Sequence, residues 1–391
     1  MRDAGRRHRR SAAAVALAAA AAGAPAGRAW VSWLSPSGSA TSAAATARAA
    51  LPRRPAALGL GLALGGGGGL RLAGAEQRGP VRLRKVIAET GLEEYRLDEY
   101  EAMRDDGPRT SKYAAAIKRR LAGQEGKAIV VDIGTGPFAL LAVIAARAGA
   151  RRVYAIEKTP AVAALAREAV AAEGLQDKIT IVEGNALQVQ LPERADFIVS
   201  ELIGSIAKQE GVQRIIEDAN RRFLKKAPRG SGGIACPQQI PASCQTFIAP
   251  VSFRYHPFLR AKPEWTPLRL DSMSQDIGFL AEEQLLEDFD YCNPAGKGRE
   301  ESKKMTFKVS REAWQQAGGV FSGVAMWCRV QMDEVDVIEV KGQRSHWAYV
   351  VALMSEQPVP IQAPSDIRLE SRIDFGSDPV KYMFEAELIP A

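Results

Sequence analysis

Between Lys127 and Glu201 apolar runs of strand length alternate with helical stretches, an order that few folds accept. The runs are "KAIVVDIG", "RRVYAIE", "KITIVEG" and "ADFIVSE". Helical patterns occupy Phe138 to Ala148 and Pro160 to Glu173, and another, 111 to 122, precedes the first run. Strands apolar at nearly every position need cover on both faces, as in a parallel sheet wrapped by helices. After about residue 240 the texture changes. "KMTFKVS", "GVFSGVAMWCRVQM", "VDVIEV", "HWAYVVALM", "IRLESRIDF" and "KYMFEAELI" are β-rich runs broken by Gly, Pro and Asp, without a helical repeat between them. That pattern predicts an antiparallel sandwich or barrel. The expected fold is α/β: a Rossmann-like doubly wound sheet followed by a β-barrel or β-sandwich domain, with the boundary near Ile240 and Pro241. Within the second part, "SMSQDIGFLAEEQLLEDF" at 272 to 289 is a helical candidate. No internal repeat is visible.

The first 75 residues belong to neither domain. Of 52 basic and 45 acidic side chains in the chain, ten Arg and a single acid, Asp3, fall there, so residues 76–391 carry 42 and 44, a formal charge of −2. The basic character therefore lies in the leader, and no nucleic-acid face is expected in the folded part. "RRHRRSAAAVALAAAAAGAPAG" has a charged start, a short apolar run and small residues after it, the pattern of a signal peptide. The Ser-, Ala- and Arg-rich stretch that follows has transit-peptide composition. In tandem they resemble the bipartite presequences of algae with complex plastids, with a mitochondrial or cytoplasmic location as alternatives. The expected division is 1–75 leader, 76–240 sheet domain and 241–391 β domain, with no membrane span in the mature chain. Cys236, Cys244, Cys292 and Cys328 show neither C-x-x-C spacing nor a His cluster, so neither a metal site nor a disulfide is expected.

In "VVDIGTGPFALLAVIAARAGARRVYAIE" a strand, a Gly-containing turn, an Ala-rich helix and a second strand ending in Glu157 follow in order. Gly134 and Gly136 would let backbone pass close to a ligand at the carboxyl edge of the sheet, and Glu157 could accept from both hydroxyls of a ribose. "GTGPFA" also satisfies the loose dinucleotide pattern, so an NAD-dependent oxidoreductase is an alternative.

The remaining motifs separate these readings. "RTSKY", "VVDIG", "YAIEKTP" and "SELIGSIAKQEG" together resemble the protein arginine methyltransferases, S-adenosyl-L-methionine enzymes of Rossmann-like sheet plus β-barrel. The resemblance covers roughly residues 95–391, densely in its first half. It implies that Arg109 binds the methionine carboxylate of the cofactor and that Met103 packs near the sulfonium. Asp132 and Gly134 match the first-strand motif, Gly136 the turn, Glu157 the ribose acid, and Asn185 with Ala186 the adenine-edge position. Glu201 and Glu210 match a loop with two glutamates nine residues apart. A guanidinium presents five donors in a planar fork, so two converging carboxylates can hold it from two sides.

In "SHWAYVVAL" a further loop resembles the family's T-H-W motif with Ser345 in place of Thr. The resemblance implies that His346 bonds an acid or helps remove a proton and that Trp347 walls the site. One departure stands out: Phe138 occupies the third glycine position of G-x-G-x-G. "IVSELIGS" and "YAIEKTP" resemble the symmetric-dimethylating members, whereas "HW" resembles the asymmetric and monomethylating ones. The implied partner is a protein substrate with an accessible arginine. A homodimer is compatible with the resemblance, although the family's dimerisation arm is not recognisable. The rivals are a catalytically silent binding module, motivated by Phe138, and a methyltransferase for a small guanidino or amine compound.

Overall fold

The structure, a computed structural model, describes residues 80–88, 96–226, 237–253, 267–294 and 300–390. The leader, Cys236 and His256 lie outside them. Strand β1 (Val81–Ala88) is followed by helices α1 (Leu97–Asp105) and α2 (Gly107–Leu121). Then come β2 (Ile129–Ile133), α3 (Leu140–Arg147), β3 (Arg152–Glu157), α4 (Pro160–Ala172), β4 (Ile179–Glu183), β5 (Phe197–Ser200), α5 (Val212–Arg222) and β6 (Gln239–Ile240).

These strands form one parallel sheet in the order β4-β3-β2-β5-β6. The chain steps outward from β2 to β4 and then adds β5 on the other side of β2. Strand order reverses there, and in such sheets the crevice beyond the carboxyl ends is where ligands bind. The uniform apolarity of the strands has the expected cause. Val130, Val153 and Val199 pack with Ala142, Ala145 and Tyr113 on one face, and Ile129, Val131 and Ile198 with Ala219 and Phe223 on the other.

Beyond Pro241 lie β7 (Ser243–Phe253), β8 (Leu268–Asp271), β9 (Ile277–Phe279), β10 (Gln284–Asp290), β11 (Glu300–Val309), α6 (Arg311–Ala317), β12 (Val320–Phe321), β13 (Gly323–Gln331), β14 (Val337–Glu339), β15 (Ala348–Leu353), β16 (Val359–Pro360), β17 (Ser365–Asp374) and β18 (Lys381–Pro390). The larger antiparallel sheet runs β10-β7-β13-β15-β8, with β9 and β14 attached, and the smaller β1-β18-β17-β11. Alternation divides the larger sheet between two cores. Val324, Met326, Val350 and Ala352 meet Phe307, Ile367 and Phe384 of the smaller sheet. Ala325, Trp327, Tyr349 and Val351 join the core that holds Tyr113, Ile117 and Ile203 of the first domain. One β-sheet face is thus the floor on which the first domain sits.

The structure departs from the sequence-based expectations in three places. Residues 81–88 do not join the parallel sheet but pair antiparallel with 381–388, so the second domain recruits its first strand from ahead of the first domain. The helical candidate at 272–289 contains β9 and β10 instead. Its apolar residues fit a helical spacing because a β-bulge between Leu285 and Glu287 breaks the period-two alternation of the strand. Cys292 is disulfide-bonded, against the expectation of reduced thiols, whereas Cys244 and Cys328 are free and buried.

Candidate active site

The carboxyl edge of β2 turns through Gly134 (φ 74°) and Gly136 (φ 67°), both in the left-handed region that a side chain disfavours. A Cβ on Gly136 would lie 3.2 Å from the Tyr100 ring of α1, so that helix closes directly over the turn. Asp132, at the strand end, accepts from the Thr135 hydroxyl at 2.6 Å and from the Ala142 N–H at 3.1 Å with the same oxygen, leaving Oδ1 buried and unpartnered. Burial pushes its carboxyl up to about 7, and the two hydrogen bonds offset only part of that.

Glu157, buried at the end of β3, takes the Gly136 N–H at 3.2 Å on one oxygen and the Thr159 N–H at 2.9 Å on the other. Each oxygen keeps a second acceptor site. Asn185, two residues past β4, is exposed and folds back on the Leu187 N–H at 2.9 Å. The Ala186 carbonyl beside it is held by the Arg222 guanidinium. Phe138 follows the turn. It is half-buried, with its ring under the Arg104 guanidinium of α1 at 4.7 Å.

Helix α2 starts where Asp106 caps it, accepting the Arg109 N–H at 3.1 Å, with Pro108 in the first turn. That cap aims Arg109 inward. Its Nη2 lies 2.9 Å from Glu201 Oε2, Nη1 donates to the Met103 carbonyl at 3.2 Å, and Nε is buried without a partner. The guanidinium carbon lies 5.3 Å from the Tyr113 ring centre and 5.8 Å from that of Trp347.

Asp106 does more than cap. Its Oδ2 takes the Ser345 hydroxyl at 3.0 Å, the His346 N–H at 2.9 Å and His346 Nδ1 at 2.9 Å. Burial alone would raise this carboxyl, but the bonds from His346 and from the Arg109 N–H hold it well below the usual range. An ionised Asp106 can only accept, so Nδ1 carries the proton. His346 is itself lowered, first by burial and further by the Arg109 charge, against the pull of Asp106 and Glu201. It is therefore neutral near pH 7 with Nε2 unprotonated.

Glu201 begins the loop between β5 and α5, and Glu210 ends it. Glu201 Oε1 accepts the Ile203 N–H at 3.2 Å. Glu210 is half-buried, and its charge, with that of Glu157, adds to burial in raising the Tyr100 phenol. Tyr100 thus stands within electrostatic reach of both the ribose-side acid and the end of the loop. Met103, Arg109, Glu201 and His346 are brought together in one corner. Gly136 and Glu157 are in direct contact, and among the described residues nothing ties the exposed Asn185 to that corner beyond its place after β4. The sequence did not single out Tyr100 or Asp106. The cap signature Asp-Gly-Pro-Arg was readable, but the reach of Asp106 to His346, 240 positions away, was not. Among the described residues no group of acids, His and Cys is arranged to hold a metal ion, and no helix is long and apolar enough to cross a membrane.

Residues 92–228 match the family described as PRMT5 arginine-N-methyltransferase. Over 153 residues the chain is 35% identical to a probable protein arginine N-methyltransferase 6 of Arabidopsis thaliana, covering 39% of this chain and 32% of that protein. It is 33% identical over 153 residues to a probable histone-arginine methyltransferase CARM1 of Oryza sativa subsp. indica, covering 39% and 27%. The chain therefore spans about a third of the length of these curated relatives. Its fold is similar to that of Arabidopsis thaliana protein arginine methyltransferase 10, with a TM-score of 0.60 at 20% identity over 76% of this chain and 94% of the other. The Trypanosoma brucei PRMT1 enzyme–prozyme complex with AdoHcy gives 0.55 at 19% identity over 70% and 87%. Rossmann-like sheet, β-barrel partner and matched stretch agree in their likeness to the protein arginine N-methyltransferases.

Proposed function

We propose that the chain transfers a methyl group from S-adenosyl-L-methionine to arginine guanidinium groups of protein substrates. The observation that carries this is the setting of Glu201: it opens the loop that ends in Glu210, and it is gripped by Arg109 beside the turn of Gly136 and Glu157. The residues fit the cofactor. The orphaned Arg109 Nε is a donor that a carboxylate would satisfy. Gly134 and Gly136 allow close backbone approach, and Glu157 retains acceptor sites for two ribose hydroxyls.

When bound, S-adenosyl-L-methionine supplies an electrophilic methyl group. Glu201 and Glu210 would hold the substrate guanidinium from two sides, offset its positive charge and orient one terminal nitrogen for attack. Trp347 and Tyr113 wall the corner against water. His346, kept neutral and turned by Asp106, offers Nε2 as acceptor for the proton that the methylated nitrogen must lose. The β domain gives a peptide a surface to lie along, which favours a protein over a small guanidino compound.

The test is tritium transfer from labelled S-adenosyl-L-methionine to a Gly-Arg-rich peptide by the full chain, beside isothermal titration with the cofactor and with NAD. Label on arginine supports the proposal. Cofactor binding without label on any acceptor would make the chain a binding module, and binding of NAD instead would make it an oxidoreductase. Assembly as a homodimer and delivery to a plastid by residues 1–75 are part of the same proposal. Light scattering that gave a monomer mass, or a fluorescent fusion of 1–75 that stayed in the cytosol, would remove them.

A further inference from the structure

Between Glu201 and Glu210 the chain forms neither helix nor strand, and its buried middle packs on its own domain through Ile203 and Ala207 while also reaching into the second domain. Four consecutive residues reach across. The Ser205 carbonyl accepts from the Cys328 thiol of β13 at 3.4 Å. Ile206 enters the core between the two β-sheets. The Ala207 N–H donates to Thr246 Oγ1 of β7 at 2.8 Å. The Lys208 ammonium lies 3.0 and 3.1 Å from the two oxygens of Glu301 on β11 and 4.7 Å from the Phe375 ring centre.

Behind Thr246 stands a carboxylate with no place in the methyl-transfer reading. Glu287 on β10 is 2% exposed, accepts the Thr246 hydroxyl at 2.7 Å on one oxygen and is 3.2 Å from the Tyr382 hydroxyl on the other. Burial raises it, against the opposing influence of Lys208, Thr246 and Tyr382. A carboxylate costs several kcal/mol to bury, and a shape-matched apolar residue is often no less stable. The chain nevertheless builds a bulge that leaves both Leu286 and Glu287 buried in succession. Bulges re-aim side chains in this way.

The carboxylate gives the Thr246 hydroxyl a direction. A hydroxyl has one proton. Because Glu287 takes it, Oγ1 must present a lone pair to the Ala207 N–H. A chain of donors thus runs from the loop backbone into the β domain, and Lys208 adds a second anchor one residue further on. We propose that Glu287, Thr246 and Lys208 are positioning residues that set the register of the loop, so that the carboxylates at its two ends converge on one guanidinium. The proposal rests on the arginine reading above.

The experiment combines hydrogen exchange of the loop with steady-state kinetics on the full chain, for wild type, Thr246→Val and Thr246→Ser. Thr246→Val should speed exchange over 201–211 by about tenfold or more, because the loop loses its anchor while 129–157 is unchanged. It should also lower kcat by about tenfold and raise the peptide KM, since a misplaced guanidinium reacts slowly, with cofactor Kd within about twofold. Thr246→Ser should restore both. Unchanged loop exchange would overturn the proposal, as would faster exchange with kcat and peptide KM intact, which a merely structural contact would give. Should Thr246→Val not fold, Lys208→Met takes its place with the same two outcomes, because it keeps the length of the side chain and removes the pairing with Glu301. If the wild type labels no arginine peptide, the arginine reading falls by itself, and the exchange comparison still decides whether these residues hold the loop.

Discussion

Arg109 and Glu201 face each other across 2.9 Å, and neither side chain is more than 10% exposed. The cation implied for the cofactor and the anion implied for the substrate are one ion pair. One oxygen of Glu201 is held by that guanidinium and the other by the Ile203 N–H, so its direction is set before any ligand arrives.

Glu201→Gln removes the charge and keeps the shape. Methylation of an arginine peptide should fall by about a hundredfold or more, the scale of one preorganised electrostatic contact, while cofactor binding changes by about fivefold at most. Parallel tritium-transfer and titration measurements check this. Retained activity would mean that the substrate guanidinium is held elsewhere.

Arg109→Lys is expected to be harsher than a like-for-like change. An ammonium cannot serve Glu201, the Met103 carbonyl and a ligand carboxylate in the fixed directions of a guanidinium fork. Cofactor Kd should rise by about tenfold to a hundredfold, or about 1.4 to 2.8 kcal/mol. An unchanged Kd would show that the unpartnered Nε is not the carboxylate donor.

The pairing of His346 with Asp106 predicts a pH profile. Burial holds the imidazole below its ordinary value of about 6.5, so the unfolded chain takes up this proton first as pH falls. The stability contribution is complete above about 6.5 and is lost as pH falls through the lower folded value. The acid limb of kcat should therefore lie below pH 6.5. Asp106→Asn, which replaces the acceptor-only carboxylate facing Nδ1–H by an amide that can also donate, should lower kcat by about tenfold to a hundredfold. An acid limb centred above 6.5 would show that His346 is not the base.

Asp132 predicts the opposite slope. Its folded carboxyl is raised to about 7, against about 3.9 in an unfolded chain. Between these values only the folded chain holds the proton, so this contribution is complete below about 3.9 and is lost as pH rises through 7. Asp132→Asn stays neutral throughout. Scanning calorimetry of the ligand-free protein from pH 4 to 8 should show the variant gaining on the wild type by up to roughly 4 kcal/mol. Parallel curves would show that Asp132 is not perturbed.

The parallel sheet was legible because its signal is local. Each strand is an apolar run covered on both faces, and each helix carries its own period, so β2 to β5 fall within the predicted runs. Elements defined by distant partners were less so. "VRLRKVIA" alternates as a strand should, but its neighbour is 381–388, and nothing local says that it leaves the domain that follows it. The bulge at Leu285 and Glu287 shows the same limit, since a single shift of register made a strand imitate a helix. In the site, Glu157 was legible from its place at a strand end, and Arg109 and Glu201 from the motifs that resemble the family. Asp106 and Tyr100 act through folded proximity, which spacing does not encode.

The pairing of β1 with β18 also orders events in time. Arg82 meets Glu387, 305 residues later, so at about 5–20 residues per second on the ribosome the first strand waits tens of seconds for its neighbour. The parallel sheet, whose strands all lie between Ile129 and Ile240, can form in that interval. The strand made first is the one placed last, and until then its own edge and that of β18's future site stand open to pairing with other chains.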